Sequence, residues 1–258
     1  MNTAARYEAQ MGETCDFLAR ADGEQVALRS LGGAGPTVVW LGGFKSEMAA
    51  TKAQALADWA TSRGRAYVRF DYFGHGESSG VFGDGTISRW RADALAVIDE
   101  RTKGDLVLAG SSMGGWIACL TALARPERVK ALVLIAPAAD FTEKLMAPEI
   151  PPEGRAALAA DGVWMRPSQY GAPYPITCTL LEDGVRWSIL NGAPIGIRTP
   201  VRILQGGQDP DVPWRHALAL AEAMAGDDVV FTLIKDGDHR LSRSQDIARL
   251  IATVEEVI

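Results

Sequence analysis

Short apolar runs alternate with helix-period stretches along most of this chain. Thr37-Val38-Val39-Trp40-Leu41 is a continuous apolar run, as expected of a strand covered on both faces. Positions 47–62 place Met48, Ala55, Leu56 and Trp59 at helical spacing. Ala66-Tyr67-Val68-Arg69-Phe70 reads as the next strand. Residues 86–102 predict a helix capped by Thr86, with Trp90, Ala94, Val97 and Ile98 on one face. A strand at 105–109 leads into a helix that Pro126 stops, and 129–135 is another buried strand. The same rhythm predicts a strand at 201–205, a helix at 214–225, a strand at 229–234 and a helix at 242–257. Near the start, residues 14–20 and 25–31 flank Asp22-Gly23, a hairpin signal. Such alternation predicts an α/β fold with a mostly parallel central sheet flanked by helices.

The rhythm breaks between about residues 140 and 199. This stretch is rich in Pro, Gly and Met, with Trp164, Tyr170, Tyr174 and Trp187 interspersed. Residues 177–181 and 185–190 flank Glu182-Asp183-Gly184 and are expected to form a hairpin. The stretch is too long for a loop within a compact domain. It is read as an inserted cap or lid, 140–199, over a core made of 1–139 and 200–258.

The strand at 105–109 runs into Gly110-Ser111-Ser112-Met113-Gly114, which reads G-x-S-x-G. Strand, sharp turn and helix form the setting of a nucleophile elbow. The turn is so tight that the residues two before and two after Ser112 must be small. Ser111 occupies an x position, so its side chain should point away from a base.

Composition narrows the rest. At 258 residues and 47% hydrophobic content, the chain suits one large domain or a core with an insertion. No apolar run reaches the ~18 residues of a membrane span. The first residues lack a secretory signal pattern. Three cysteines, Cys15, Cys119 and Cys178, lie far apart, without disulfide or metal-ligand spacing. A cytoplasmic protein with reduced cysteines is expected. The net charge of −6 and the absence of a long basic stretch argue against a nucleic-acid partner.

Four further segments stand in a telling order. Leu41-Gly42-Gly43-Phe44 follows an early strand. Asp71-Tyr72-Phe73-Gly74-His75-Gly76-Glu77-Ser78 has the form D-x-x-G-x-G-x-S. Gln205-Gly206-Gly207-Gln208-Asp209-Pro210-Asp211-Val212-Pro213 follows a late strand, and Gly237-Asp238-His239 follows the last one. With the elbow, they make the chain resemble the α/β-hydrolase family over nearly its whole length. Two departures stand out: Gly42 where the family has His, and Gln205 where it has His. Asp238-His239-Arg240-Leu241-Ser242 and Val212-Pro213-Trp214 are most similar to the branch of the mitochondrial palmitoyl-protein thioesterase and acyl-glucuronide esterase.

A serine hydrolase needs a nucleophile, a base and an acid that orients the base. Ser112 is the candidate nucleophile. Of three histidines, His216 falls inside a helix, and the resemblance makes the His75 turn a structural feature near the oxyanion side. His239 stands C-terminal to the other candidates on a polar loop, which gives the order Ser, Asp, His of this fold. The motif alignment selects Asp209 as the acid, with Asp140 and Asp211 as alternatives. The backbone N–H groups of Met113 and Phe44 are the candidate oxyanion donors. Leu145, Met146, Trp164, Met165, Tyr170 and Trp187 are candidate contacts for an acyl chain. Arg155, Arg166 and Arg186 are candidates for an anionic group on the substrate. Neither metal nor organic cofactor is implied. The expected activity is hydrolysis of carboxylic esters or thioesters of small to medium acyl compounds through an acyl-enzyme. Cleavage of peptides or carbon–carbon bonds, a non-catalytic binding role on the same fold, and homo-oligomerisation stay open. Ser at 112 disfavours a haloalkane dehalogenase, which would hold Asp there.

Overall fold

The computed structural model describes residues 12–168 and 171–258. β1 (Thr14–Ala19) and β2 (Gln25–Leu31) form an antiparallel pair around the Asp22-Gly23 turn. Then β3 (Ala34–Leu41), α1 (Thr51–Arg63), β4 (Arg65–Phe70), α2 (Ile87–Arg101), β5 (Leu106–Ser111), α3 (Met113–Ala124) and β6 (Val129–Ile135) follow in strict alternation. Between β6 and the next sheet strand lie a π-helical turn (Thr142–Met146), α4 (Pro152–Asp161), a separate hairpin of β7 (Val163–Ser168) and β8 (Gly171–Thr177), and α5 (Cys178–Arg186). The alternation resumes with β9 (Val201–Gly206), α6 (Trp214–Ala223), β10 (Val229–Ile234) and α7 (Ser244–Glu256).

The eight-stranded sheet has the order β1-β2-β4-β3-β5-β6-β9-β10 and is parallel from β4 to β10. Helices cover both faces, so the central strands are apolar on both sides. Every residue of β5 is buried. Its Leu106 and Leu108 pack with Trp90, Trp116 and Leu220 of α2, α3 and α6. Its Val107 and Ala109 pack with Leu56 and Trp59 of α1 and Leu250 of α7. The period-2 alternation of a strand thus feeds two separate cores. Parallel strands also deliver all their C-terminal ends to one edge of the sheet, where the helix N-termini gather.

The hairpin expected over 177–190 is not formed. Residues Cys178–Arg186 are helical, and the Thr177 side chain caps them by accepting from the Leu180 N–H at 3.1 Å. Leu180, Asp183 and Gly184 turn one face of α5 inward. Gly184 serves that packing rather than a turn, since a Cβ there would collide with Thr142 Oγ1. The Asp183 carboxylate reaches the start of α2, accepting from the Ser88 N–H at 2.7 Å and the Ser88 hydroxyl at 2.6 Å. A negative charge is favoured at that helix N-terminus. The Trp187 indole N–H donates to the same Ser88 oxygen at 2.7 Å.

Asp183→Ala should lower the unfolding free energy by about 2 kcal/mol, because two bonds to a charged group at a helix start are lost. Asp183→Asn should lose about half as much. Urea unfolding of the three proteins checks both values.

Candidate active site

The elbow is built by backbone contact. Ser112 adopts φ 55° and ψ −120°, a strained conformation for a residue with a Cβ. Its N–H donates to Ile135 O on β6 at 2.9 Å, which ties the turn to the next strand. Its side chain does not cap α3. A Cβ at Gly110 would collide with Gly114 O, and one at Gly114 would collide with the carbonyl oxygens of Leu41 and Gly42. The end of β3 and the first turn of α3 therefore meet with no side chain between them. A Cβ at Gly43 would stand 3.4 Å from Ser112 Cβ, so the loop that follows β3 runs beside the serine. The Met113 amide is among the donors that a helix N-terminus leaves without an intrahelical partner.

The loop after β3 turns at once. Ser46 N–H donates to Gly43 O at 3.0 Å, with Phe44 and Lys45 between them and Lys45 at φ 58°. Two side chains of the 71–78 turn hold this loop. His75 Nε2 accepts from the Lys45 N–H at 3.1 Å, and Asp71 Oδ1 accepts from the Met48 N–H at 2.6 Å. His75 is buried, with Nδ1 at 3.0 Å from Phe73 O. A carbonyl only accepts, so Nδ1 carries the proton and Nε2 is the acceptor. Burial, aided by the nearby Lys45 ammonium, pushes His75 down to about 4 from the usual 6.5. The Phe44 ring lies among Phe82, Trp90, Phe141 and Tyr174, with centroids 4.9 to 5.9 Å away.

At the ends of β9 and β10, Asp209 and His239 meet. His239 Nδ1 lies 2.8 Å from Asp209 Oδ2, and the carboxylate is fully buried. Nδ1 carries a proton, since a carboxylate only accepts, and in the neutral ring Nε2 is then the nitrogen with the free lone pair. Asp209 also accepts from Asp211 N–H at 2.9 Å, Val212 N–H at 2.8 Å and Gln205 Nε2 at 3.1 Å. Asp209, Asp211 and His239 bring three potential ligand atoms within 4.8 Å of one another, as a metal would require. Four hydrogen bonds nevertheless occupy the Asp209 lone pairs, which matches an orienting acid rather than a ligand. The two loops touch by backbone. A Cβ at Gly206 would come 2.5 Å from the carbonyl oxygens of Gly237 and Asp238, and the Gln208 N–H donates to Gly237 O at 2.9 Å. Lys52 at the start of α1 reaches across and donates to Arg240 O.

The other predicted residues lie as follows. The Asp140 carboxylate accepts from Ser188 Oγ and from the N–H groups of Ile189 and Leu190, at 2.7 to 3.1 Å, so it holds the return of the interruption. Asp211 is exposed. Leu145 and Trp164 are half-buried, Met146 is buried and Met165 is exposed. Trp187 is engaged on α2 through Ser88 and stacks with the Arg91 guanidinium at 4.3 Å. Tyr170 lies outside the described residues. His216 Nε2 bonds to Ala139 O at 2.8 Å. The bond from Gln205 to Asp209 and the enclosure of Phe44 by Phe82 and Phe141 were not anticipated. Gln205 carried a signal, standing four residues before Asp209 at a strand end; the aromatic cluster, scattered over distant segments, carried none.

The His75 environment makes stability depend on pH. The unfolded imidazole takes a proton near 6.5, but the folded one only near 4. The unfolded state therefore binds more protons between these values, and stability is lost as pH falls from 6.5 to 4. Burial raises Asp93 to about 6, which contributes the opposite slope. The difference between wild type and His75→Phe isolates the histidine. The variant should gain about 3 kcal/mol relative to wild type on going from pH 7 to pH 4, read from urea unfolding at each pH.

The sequence matches the family model described as serine aminopeptidase S33 over residues 35–169. It is 36% identical to the mitochondrial palmitoyl-protein thioesterase ABHD10 of Bos taurus, over 94% of this chain and 79% of that protein. A putative hydrolase from Agrobacterium vitis S4 superimposes with a TM-score of 0.90 at 43% identity, over 96% of this chain and 98% of the other. Mouse alpha/beta hydrolase domain-containing protein 10 superimposes with a TM-score of 0.86 at 36% identity, over 94% and 97%. The ABHD10 relatives are named as mitochondrial, which overturns the expectation of a cytoplasmic protein. Among the described residues no helix is long and apolar enough to cross a membrane. The chain belongs to the α/β-hydrolase superfamily, in the branch of the palmitoyl-protein thioesterase ABHD10, and is a hydrolase.

Proposed function

We propose that this hydrolase cleaves thioesters and carboxylic esters of apolar acyl groups through an acyl-enzyme on Ser112. The observation that carries the reading is the 2.8 Å bond between His239 Nδ1 and the buried Asp209, at the same edge of the sheet as the strained Ser112. In this reading, the Ser112 hydroxyl attacks the acyl carbonyl while His239 Nε2 takes its proton. Asp209 holds the ring and stabilises the imidazolium. The Phe44 and Met113 amides hold the oxyanion. His239 returns the proton to the departing thiol or alcohol. Water then attacks the acyl carbon and gives a proton to the same nitrogen, which passes it to Ser112 Oγ as the Ser112–acyl bond breaks and the acid is released.

Residues 140–199 act as the cap. Leu145, Met146, Trp164 and Met165 belong to it, and Tyr174 brings its hairpin onto the Phe44 ring. An apolar acyl chain suits such a wall, and the palmitoyl thioester named for the relatives has this chemistry. A thiolate also leaves more readily than an alkoxide, so a thioester asks less of His239.

Matched oxygen esters and thioesters of increasing chain length test the reading. Ser112→Ala should lose about 10⁶-fold in kcat with its unfolding midpoint unchanged, and Asp209→Asn should lose about 10⁴-fold. Turnover that survives in Ser112→Ala would sink the mechanism. Serine-dependent cleavage confined to peptides or carbon–carbon bonds would move the chemistry to another acyl class.

A further inference from the structure

Gly42 and Gly43 have no side chains with which to brace the loop that carries Phe44. The turn that follows is demanding. Gly43 O accepts from the Ser46 N–H, Lys45 has φ 58° and Phe44 lies outside the positive-φ residues. This is a type II turn with Lys in the position that favours glycine. Its central peptide, between Phe44 and Lys45, would escape the strain by flipping toward a type I turn. That flip rotates ψ of Phe44 and φ of Lys45 together; the Phe44 N–H, in the preceding peptide, is re-aimed as the Gly43–Ser46 turn re-seats.

We propose that His75 is a positioning residue of the oxyanion loop, its Nε2 holding the Gly43–Ser46 turn through the Lys45 N–H in the shape that keeps the Phe44 N–H toward Ser112. The inference rests on the functional reading above. The bond is 3.1 Å, and the ring that makes it is buried. Nδ1 is fixed on Phe73 O, and Phe82, Trp90 and Tyr72 enclose the ring at centroid distances of 5.1, 5.4 and 5.8 Å. Asp71 anchors the far end of the same loop through Met48 N–H. An imidazole that stays neutral across the working pH range keeps its acceptor. No other acceptor for the Lys45 N–H is found among the described residues, so its loss leaves the peptide without a hold.

His75→Phe tests this cleanly. The ring shape persists in an aromatic surround, and Phe73 O still accepts from the Trp90 indole at 3.1 Å. Three readouts are needed: steady-state kinetics on an ester cleaved by wild type, the affinity of a trifluoromethyl ketone whose adduct puts an oxyanion in the hole, and amide hydrogen exchange over residues 42–48. We expect kcat to fall about tenfold or more, approaching the loss for a deleted oxyanion donor. KM should stay within about threefold, and ketone affinity should fall in step with kcat. Exchange at Lys45 should quicken. His75→Gln, which restores an acceptor oxygen, should recover most of each loss. Wild-type kinetics or wild-type exchange in His75→Phe would overturn the proposal. So would a Gln variant no better than Phe, or a drop in active fraction with ketone affinity unchanged. A wild type without Ser112-dependent turnover would overturn the functional reading instead, and the exchange rates alone would then decide whether His75 holds the loop.

Discussion

The backbone contact between the end of β3 and the first turn of α3 governs this structure. Gly114 meets the carbonyls of Leu41 and Gly42 directly, and Gly43 runs beside Ser112. A single methyl group at Gly114 would push the two loops apart. Because none is there, the loop that carries Phe44 lies directly beside the turn that carries Ser112 and Met113. The same device recurs further along the sheet edge, where Gly206 lies against Gly237 and Asp238 and brings the Asp209 loop onto the His239 loop. Both pairs of loops are held by close packing of main chain, where any added atom must displace backbone. Catalytic geometry is sensitive to small displacements, so under the proposed function this close packing has chemical value.

Much of this was legible in the sequence, for definite reasons. Alternating apolar runs and helical spacing mark the sheet and its helices, because buried parallel strands and amphipathic helices differ so sharply in period. The tight glycines mark the turns. Residues 177–190 misled because β-branched residues and Trp187 imitate a strand pair and Asp183-Gly184 imitates a turn. In fact Gly184 answers to Thr142, and Asp183 answers to Ser88, both distant in sequence. The acid was ambiguous for a related reason. Asp140 and Asp209 both follow sheet strands, and what separates them is the partner of each carboxylate: the N–H groups of residues 189 and 190 for one, the His239 ring for the other. Such pairings depend on where loops return in space, which no local pattern records.

Backbone strain is distributed along the same edge. Lys45, Ser112, Ala136, Asp140 and Leu241 have positive φ without being glycine. Each conformation costs about 1 kcal/mol or more and persists only where the surroundings impose it. Each has an identifiable hold. Ser112 N–H is held by Ile135 O, Ala136 N–H by Leu204 O, and Leu241 N–H by the Asp238 carboxylate. Asp140 is held through its own carboxylate, and Lys45 through His75. Four of these five holds bridge segments far apart in sequence, so the strained positions exist only once the sheet has assembled. Strain of this kind belongs to the assembled edge rather than to any loop. It follows that the loops around Ser112 are pre-set by the folded core, and that a substrate meets them in place instead of paying to order them.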